Sequence, residues 1–158
     1  LRVTKYGEYW RLVTSIFLHN GIDHIMNNMF LLIFLGAMME RQIGHLAYAI
    51  IYILSGIGGG MLSLFYKAIT NERAASVGAS GAVFGLIGVM LALVLLQRHK
   101  IPDVTPTRIL IVIAFSLYVG MRSQNVDNAG HIGGILTGFF AGVLLCLIHR
   151  TQRLKKSR

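Results

Sequence analysis

Residues 131–148 read HIGGILTGFFAGVLLCLI, a run of eighteen residues with no Asp, Glu, Lys or Arg. A helix needs about 17 to 25 such residues to cross the hydrocarbon core of a bilayer. Glycines recur at every fourth position of the run, at Gly134, Gly138 and Gly142. This spacing places them on one helix face, where small residues let a second helix approach closely. The run therefore predicts a membrane-spanning helix with a close helical neighbour.

Four more apolar runs without charge precede this one, and we interpret each as a helix. They cover residues 25–39, 46–66, 80–96 and 109–121. The first and the last of these are short, but polar flanking residues that face a bundle interior would extend them. The run over 80–96 carries its own glycines and is the expected neighbour of 131–148. The fold class predicted is all-α, a polytopic membrane helix bundle with five spans.

The composition of the whole chain agrees with a membrane protein. Of its 158 residues, 54% are hydrophobic and 13% charged, whereas a soluble domain is about one quarter charged. The net charge of +9 would suit a nucleic acid, but no basic helix face or run of exposed aromatic residues accompanies it, so we expect no nucleic-acid partner. The single cysteine, Cys146, excludes an internal disulfide framework.

The distribution of basic residues predicts the orientation. Nine of them fall in the connections after the first and third runs and in the tail, and six fall on the opposite side. Since basic residues collect on the cytoplasmic side of membrane proteins, the C-terminus is expected in the cytoplasm and Leu1 outside. We expect an integral membrane protein, of a bacterial cell membrane, with an outer loop over 1–21 and a basic cytoplasmic tail over 149–158.

Polar residues at the ends of the apolar runs are candidates for function, because a polar group without a partner in hydrocarbon costs several kcal/mol. His24 and Asn28 are four residues apart and share one helix face. They either point at a common target or only hydrogen-bond between helices. Ser80 lies between Gly78 and Gly81 at the start of the third run, where the free N–H groups of a helix N-terminus favour developing negative charge.

A histidine completes the set. His131 opens the fifth run, and an ionisable residue there is functional by default. The glycine face should bring His131 close to Ser80, and a serine with a nearby histidine forms a nucleophile and its general base. No acidic residue is placed to complete a triad, so we infer a dyad. His24 and Asn28 would then donate hydrogen bonds to the oxyanion formed on an attacked peptide carbonyl.

These residues together resemble the rhomboid intramembrane serine proteases. The motifs that carry the resemblance cover nearly the whole chain: Trp10-Arg11, His24-x-x-x-Asn28, Glu40-Arg41, Gly78-Ala-Ser80-Gly81 and Ala129-Gly130-His131. The resemblance implies a serine endopeptidase that cleaves transmembrane segments of other proteins. It also implies that Ser80 is the nucleophile, His131 its base, and His24, Asn28 and the backbone N–H of Ser80 the oxyanion hole.

The sequence departs from the family pattern at two points. The family core has six helices, and the chain begins in the loop that follows the first of them, so we expect five of the six over 1–158, which form one protease domain. Phe84 stands where many relatives have a tyrosine that packs on the catalytic histidine. A phenylalanine keeps the stacking surface, so we expect activity to survive.

Two rival functions follow from the same residues. One is a catalytically inactive rhomboid-like protein that binds transmembrane helices; such relatives typically lack the serine or the histidine, and both are present here. The other is a metal or haem protein that uses His19, His24 and His131. Against it, His19 and His24 are five residues apart and do not share a helix face. We expect no cofactor and no metal; the partners expected are the bilayer and transmembrane protein substrates.

Overall fold

The computed structural model describes residues 2–71, 78–96, 104–123 and 126–156, and every regular element in these ranges is helical. In chain order the elements are α1 (Arg2–Tyr6), α2 (Arg11–Thr14), a 3-10 turn (Ser15–Phe17), α3 (Ile22–Leu31), a π-helical segment (Leu32–Gly36), α4 (Ala37–Ile43), α5 (His45–Thr70), α6 (Ser80–Leu96), α7 (Pro106–Arg122) and α8 (Asn128–Lys156). The predicted all-α class is confirmed. The outer loop predicted over 1–21 contains short helices.

In the described part of the chain, three helices are long and apolar enough to cross a membrane: Ile22–Ile43, which joins α3, the π-helical segment and α4, His45–Thr70, and Asn128–Arg150. A fourth, α6, is apolar but has only 17 residues. Helix α7 also has 17 residues, and it is less apolar. The five predicted runs are all helical, while the count of five spans stays a prediction.

Helix boundaries follow local chemistry. Gly44, at φ +85°, separates α4 from α5, and Asn71, at φ +56°, ends α5 in the left-handed conformation. Helix α7 begins with Pro106 after Thr105, whose hydroxyl accepts a hydrogen bond from the N–H of Arg108 at 3.3 Å.

The fifth helix is longer than predicted. The apolar run ends at residue 148, but α8 continues to Lys156, through the segment expected to be a separate tail. No glycine or proline follows Gly142, and Gln, Arg, Leu and Lys are good helix formers. The helix therefore continues for eight residues beyond the end of the apolar run.

The core of the fold is α6, packed between α5 and α8. A methyl group on Gly134 would overlap the carbonyl oxygen of Gly81, and one on Gly138 would overlap that of Gly85. Such backbone contacts are possible only between small residues. The predicted contact between the third and fifth runs is confirmed.

Helix α5 supplies a third small-residue face, which sequence reasoning missed. Ser55, Gly59 and Ser63 are buried at a spacing of four, which places them on one side of the helix, and Lys67 is buried one turn further along that side. A methyl group on Gly59 would lie 2.6 Å from the carbonyl oxygen of Gly130. The fourfold spacing was visible in the sequence and could have identified this face.

Candidate active site

Ser80 is the first residue of α6 and is half-buried. Two residues earlier, Gly78 has φ +127°, a conformation that L side chains rarely adopt. Its N–H donates to the carbonyl oxygen of Ser15 at 2.9 Å, which ties the approach to α6 to the 3-10 turn. Gly78 therefore makes the predicted tight turn. At Gly81 helix α8 comes very close, because a methyl group on Gly134 would overlap the carbonyl oxygen of Gly81.

His131 lies in the first turn of α8, with 8% of its surface exposed. Its ring stacks on that of Phe84, one helical turn after Ser80, with ring centroids 4.0 Å apart and planes 9° apart. The Nδ1 atom is buried, and no residue in the described part of the chain hydrogen-bonds to it. Stacking on an apolar ring, together with the helix backbone, therefore orients this imidazole.

Ser80 and His131 are brought together by the contact between α6 and α8. Among the described residues, no hydrogen bond joins the Ser80 hydroxyl to the His131 ring. Catalytic hydrogen bonds are often long in a substrate-free site and tighten when substrate binds. Ser80 and His131 therefore remain the candidate nucleophile and base, on two helices that touch where Phe84 stacks on His131.

His24 and Asn28 lie on one face of α3, as predicted, and both face Gly78. A methyl group on Gly78 would lie 2.9 Å from His24 Nε2 and 3.8 Å from Asn28 Nδ2. Asn28 is 4% exposed, and its amide donates to the carbonyl oxygen of His24 at 2.9 Å. The two side chains therefore reach the backbone that leads into Ser80.

The hydrogen bonding of His24 defines its tautomer. The N–H of Asn20 donates to His24 Nδ1 at 3.2 Å, so the neutral ring carries its proton on Nε2. This is the nitrogen that faces Gly78. The ring of His19 packs edge-on against His24, with centroids 5.3 Å apart and planes at 72°. His24 thus presents an N–H donor on the side of the candidate nucleophile.

A small cavity of about 40 Å³ reaches Ser80. Its lining is mostly glycine backbone: Gly56, Gly59 and Gly60 of α5, Gly78 and Gly81 beside the serine, and Gly130 of α8, with Ser15, Ile16 and Asp127. A water needs at least about 10 to 15 Å³ of such space and two to four polar partners. Ser15, Ser80 and Asp127 bring polar side chains to the lining, so the cavity has the size and polarity to hold a water molecule.

Two charged residues are absent from the predicted site: Asp127, which lines the cavity, and Lys67, which pairs with it. Lys67 Nζ lies 3.8 Å from Asp127 Oδ2, and only 7% of the lysine side chain is exposed. Within the described ranges, no three His, Cys, Asp or Glu side chains are grouped as metal ligands.

Comparison with known proteins identifies the family. A family model described as "Rhomboid domain" matches residues 6–148. The chain belongs to the rhomboid family. It is 43% identical over 146 residues to RHOMBOID-like protein 2 of Arabidopsis thaliana, which covers 91% of the chain and 44% of that protein. It is 39% identical over 141 residues to Rhomboid protease GluP of Bacillus subtilis, which covers 89% of the chain and 27% of that protein.

The chain is shorter than its rhomboid relatives. The rhomboid chain spans between about a quarter and a half of the curated relatives it matches. These come from Arabidopsis thaliana and Toxoplasma gondii as well as from Bacillus subtilis, so the expected bacterial source is not supported. The family and the apolar helices identify an integral membrane protein.

Proposed function

We propose that this rhomboid chain is an intramembrane serine endopeptidase that cleaves transmembrane segments of other proteins. The observation that carries the proposal is the stacking of His131 on Phe84, one turn from Ser80, at 4.0 Å. The proposed dyad has no acidic residue that would hold the His131 imidazole in place, so the stacking supplies the orientation that such a residue would give. A relative named as a rhomboid protease supports the same activity.

The reaction proceeds through an acyl-enzyme. His131 removes the proton of the Ser80 hydroxyl while Oγ attacks the peptide carbonyl carbon. The oxyanion accepts hydrogen bonds from His24 Nε2, Asn28 Nδ2 and the backbone N–H of Ser80. His131 then returns the proton to the leaving amine. In the second half, His131 takes a proton from a water in the cavity while that water attacks the ester carbonyl. The bond from the acyl carbon to Ser80 Oγ then breaks, His131 returns the proton to Oγ, and the new carboxyl end leaves.

The substrate must present an unwound carbonyl. A transmembrane helix engages its carbonyl groups in internal hydrogen bonds, so segments with glycine or other poor helix formers are favoured. The basic residues suggest that the C-terminus of α8 is cytoplasmic. Ser80, at the opposite end of the bundle in this orientation, would then act near the outer face.

A cleavage assay in liposomes tests the proposal. The wild-type chain should cleave a model transmembrane substrate, and Ser80→Ala should abolish cleavage. Ser123→Ala, at an exposed serine after α7, is the matched control and should remain active. Cleavage by Ser80→Ala at the wild-type rate would refute the assignment of the nucleophile. A folded wild type that binds the substrate without Ser80-dependent cleavage would instead indicate a helix-binding rhomboid-like protein.

A further inference from the structure

Lys67 is a buried charge in a helix that is long enough to span a membrane. It lies in the last turn of α5, and its Nζ is 3.8 Å from Asp127 Oδ2. A charged side chain in such a position is costly unless it is paired, and it marks function by default. The lysine side chain is 7% exposed and the aspartate side chain 24%. The pair is thus largely removed from solvent.

Asp127 also determines the start of α8. Its Oδ1 atom accepts a hydrogen bond from the N–H of Gly130 at 2.9 Å, as the N-cap of the helix. Its carbonyl oxygen accepts one from the N–H of His131 at 3.0 Å. Asp127, the ion-pair partner of Lys67, therefore holds the first turn of α8, which carries His131.

Helix α5 contacts this turn at a second point. Gly59 packs against the carbonyl oxygen of Gly130, where a methyl group would lie 2.6 Å away. Gly59 and Lys67 are eight residues apart and share a helix face. One face of α5 therefore fixes the first turn of α8 by close packing at one end and by an ion pair at the other.

We propose that Lys67 is a positioning residue for His131, acting through Asp127. The inference rests on the proposed function of Ser80 and His131. The ion pair fixes the Asp127 cap, the cap fixes the first turn of α8, and that turn fixes the distance from His131 to Ser80. Asp127 and Ser80 line the same cavity, so a shift of this turn acts directly at the site. Misplacement of a catalytic group by 1 Å can cost about 100-fold in rate.

Four variants of the full chain test the proposal, with kcat and KM measured on a transmembrane substrate. Lys67→Met should lower kcat by about tenfold or more and leave KM unchanged, whereas Lys67→Arg should keep most of the activity. Asp127→Asn keeps a capping oxygen but loses the charge, and should lower kcat to a similar extent. Because the two residues act as a unit, Lys67→Met with Asp127→Asn should lose no more than either single variant. Lys5→Met, at an exposed lysine of α1, is the control and should not change kcat.

Wild-type kcat in Lys67→Met, or losses that multiply in the double variant, would overturn the inference. Lys67→Met leaves the Asp127 carboxylate without the lysine ammonium group. If this variant does not fold, Asp127→Asn is compared with the double variant, because neither of these contains the Asp127 carboxylate, and equal kcat values are again expected. Absence of Ser80-dependent cleavage by the wild type would instead overturn the proposed function. An active wild type with an equally active Lys67→Met overturns only the role of Lys67.

Discussion

The imidazole of His131 lies flat against the phenyl ring of Phe84, with ring centroids 4.0 Å apart and planes 9° apart. Phe84 is 6% exposed and belongs to the same helix as Ser80. The stacking therefore connects the position of the proposed base to the helix that carries the proposed nucleophile.

Substitution of Phe84 tests this connection. Aromatic stacking contributes about 0.5 to 1.5 kcal/mol, so Phe84→Leu should lower kcat by about two- to thirteenfold, while Phe84→Tyr should retain activity. Phe140→Leu, at an exposed phenylalanine of α8, is the matched control. Equal kcat values for Phe84→Leu and the wild type would show that stacking does not orient the base.

Gly78 should be essential for activity beyond its effect on stability. An alanine there would be strained at φ +127° and would contact the His24 ring at 2.7 Å. Gly44 is also at positive φ, +85°, but a methyl group there meets nothing within 4 Å. Both alanine variants should lose about 1 to 3 kcal/mol of stability, measured by thermal unfolding in detergent. Only Gly78→Ala should also lose cleavage activity, and equal activity of the two variants would contradict this.

Asn28 should contribute to oxyanion binding. Removal of one such donor typically lowers kcat by about 100- to 1,000-fold, so Asn28→Ala should show this loss with little change in KM. Asn27→Ala, at the exposed neighbouring residue, should behave as the wild type. A loss confined to KM would assign Asn28 to substrate binding instead.

The stability of the bundle should depend on the glycine face of α8. A methyl group on Gly138 would overlap backbone atoms of Gly85, whereas one on Gly60 would meet only the end of the Leu12 side chain, at 3.0 Å. Gly138→Ala should therefore unfold at a clearly lower temperature than the wild type. Gly60→Ala should be neutral or more stable, because alanine is favoured over glycine in a helix by about 1 kcal/mol. Similar unfolding temperatures for the two variants would contradict the packing.

Local patterns in the sequence were sufficient for much of the fold. The run over 80–96 coincides with α6, and the fourfold glycine spacing predicted the contact with α8, because both signals depend on residues within one helix. Hydropathy did not predict the end of α8, since its last turns are polar but remain helical. The Lys67–Asp127 pair joins the end of α5 to the start of α8. Such a contact depends on how three helices pack, so no periodicity in the sequence reveals it.

We propose that Ser80 is a nucleophile activated by His131. Fluorophosphonate labelling of the folded wild-type chain, with the modified residue located by mass spectrometry, distinguishes an activated serine from an inert one. We predict an adduct on Ser80 that forms at least about 100-fold more slowly in His131→Ala, because general-base catalysis contributes about 10²- to 10⁴-fold. A folded chain without an adduct on Ser80, or with equal labelling rates in the wild type and His131→Ala, would contradict the claim.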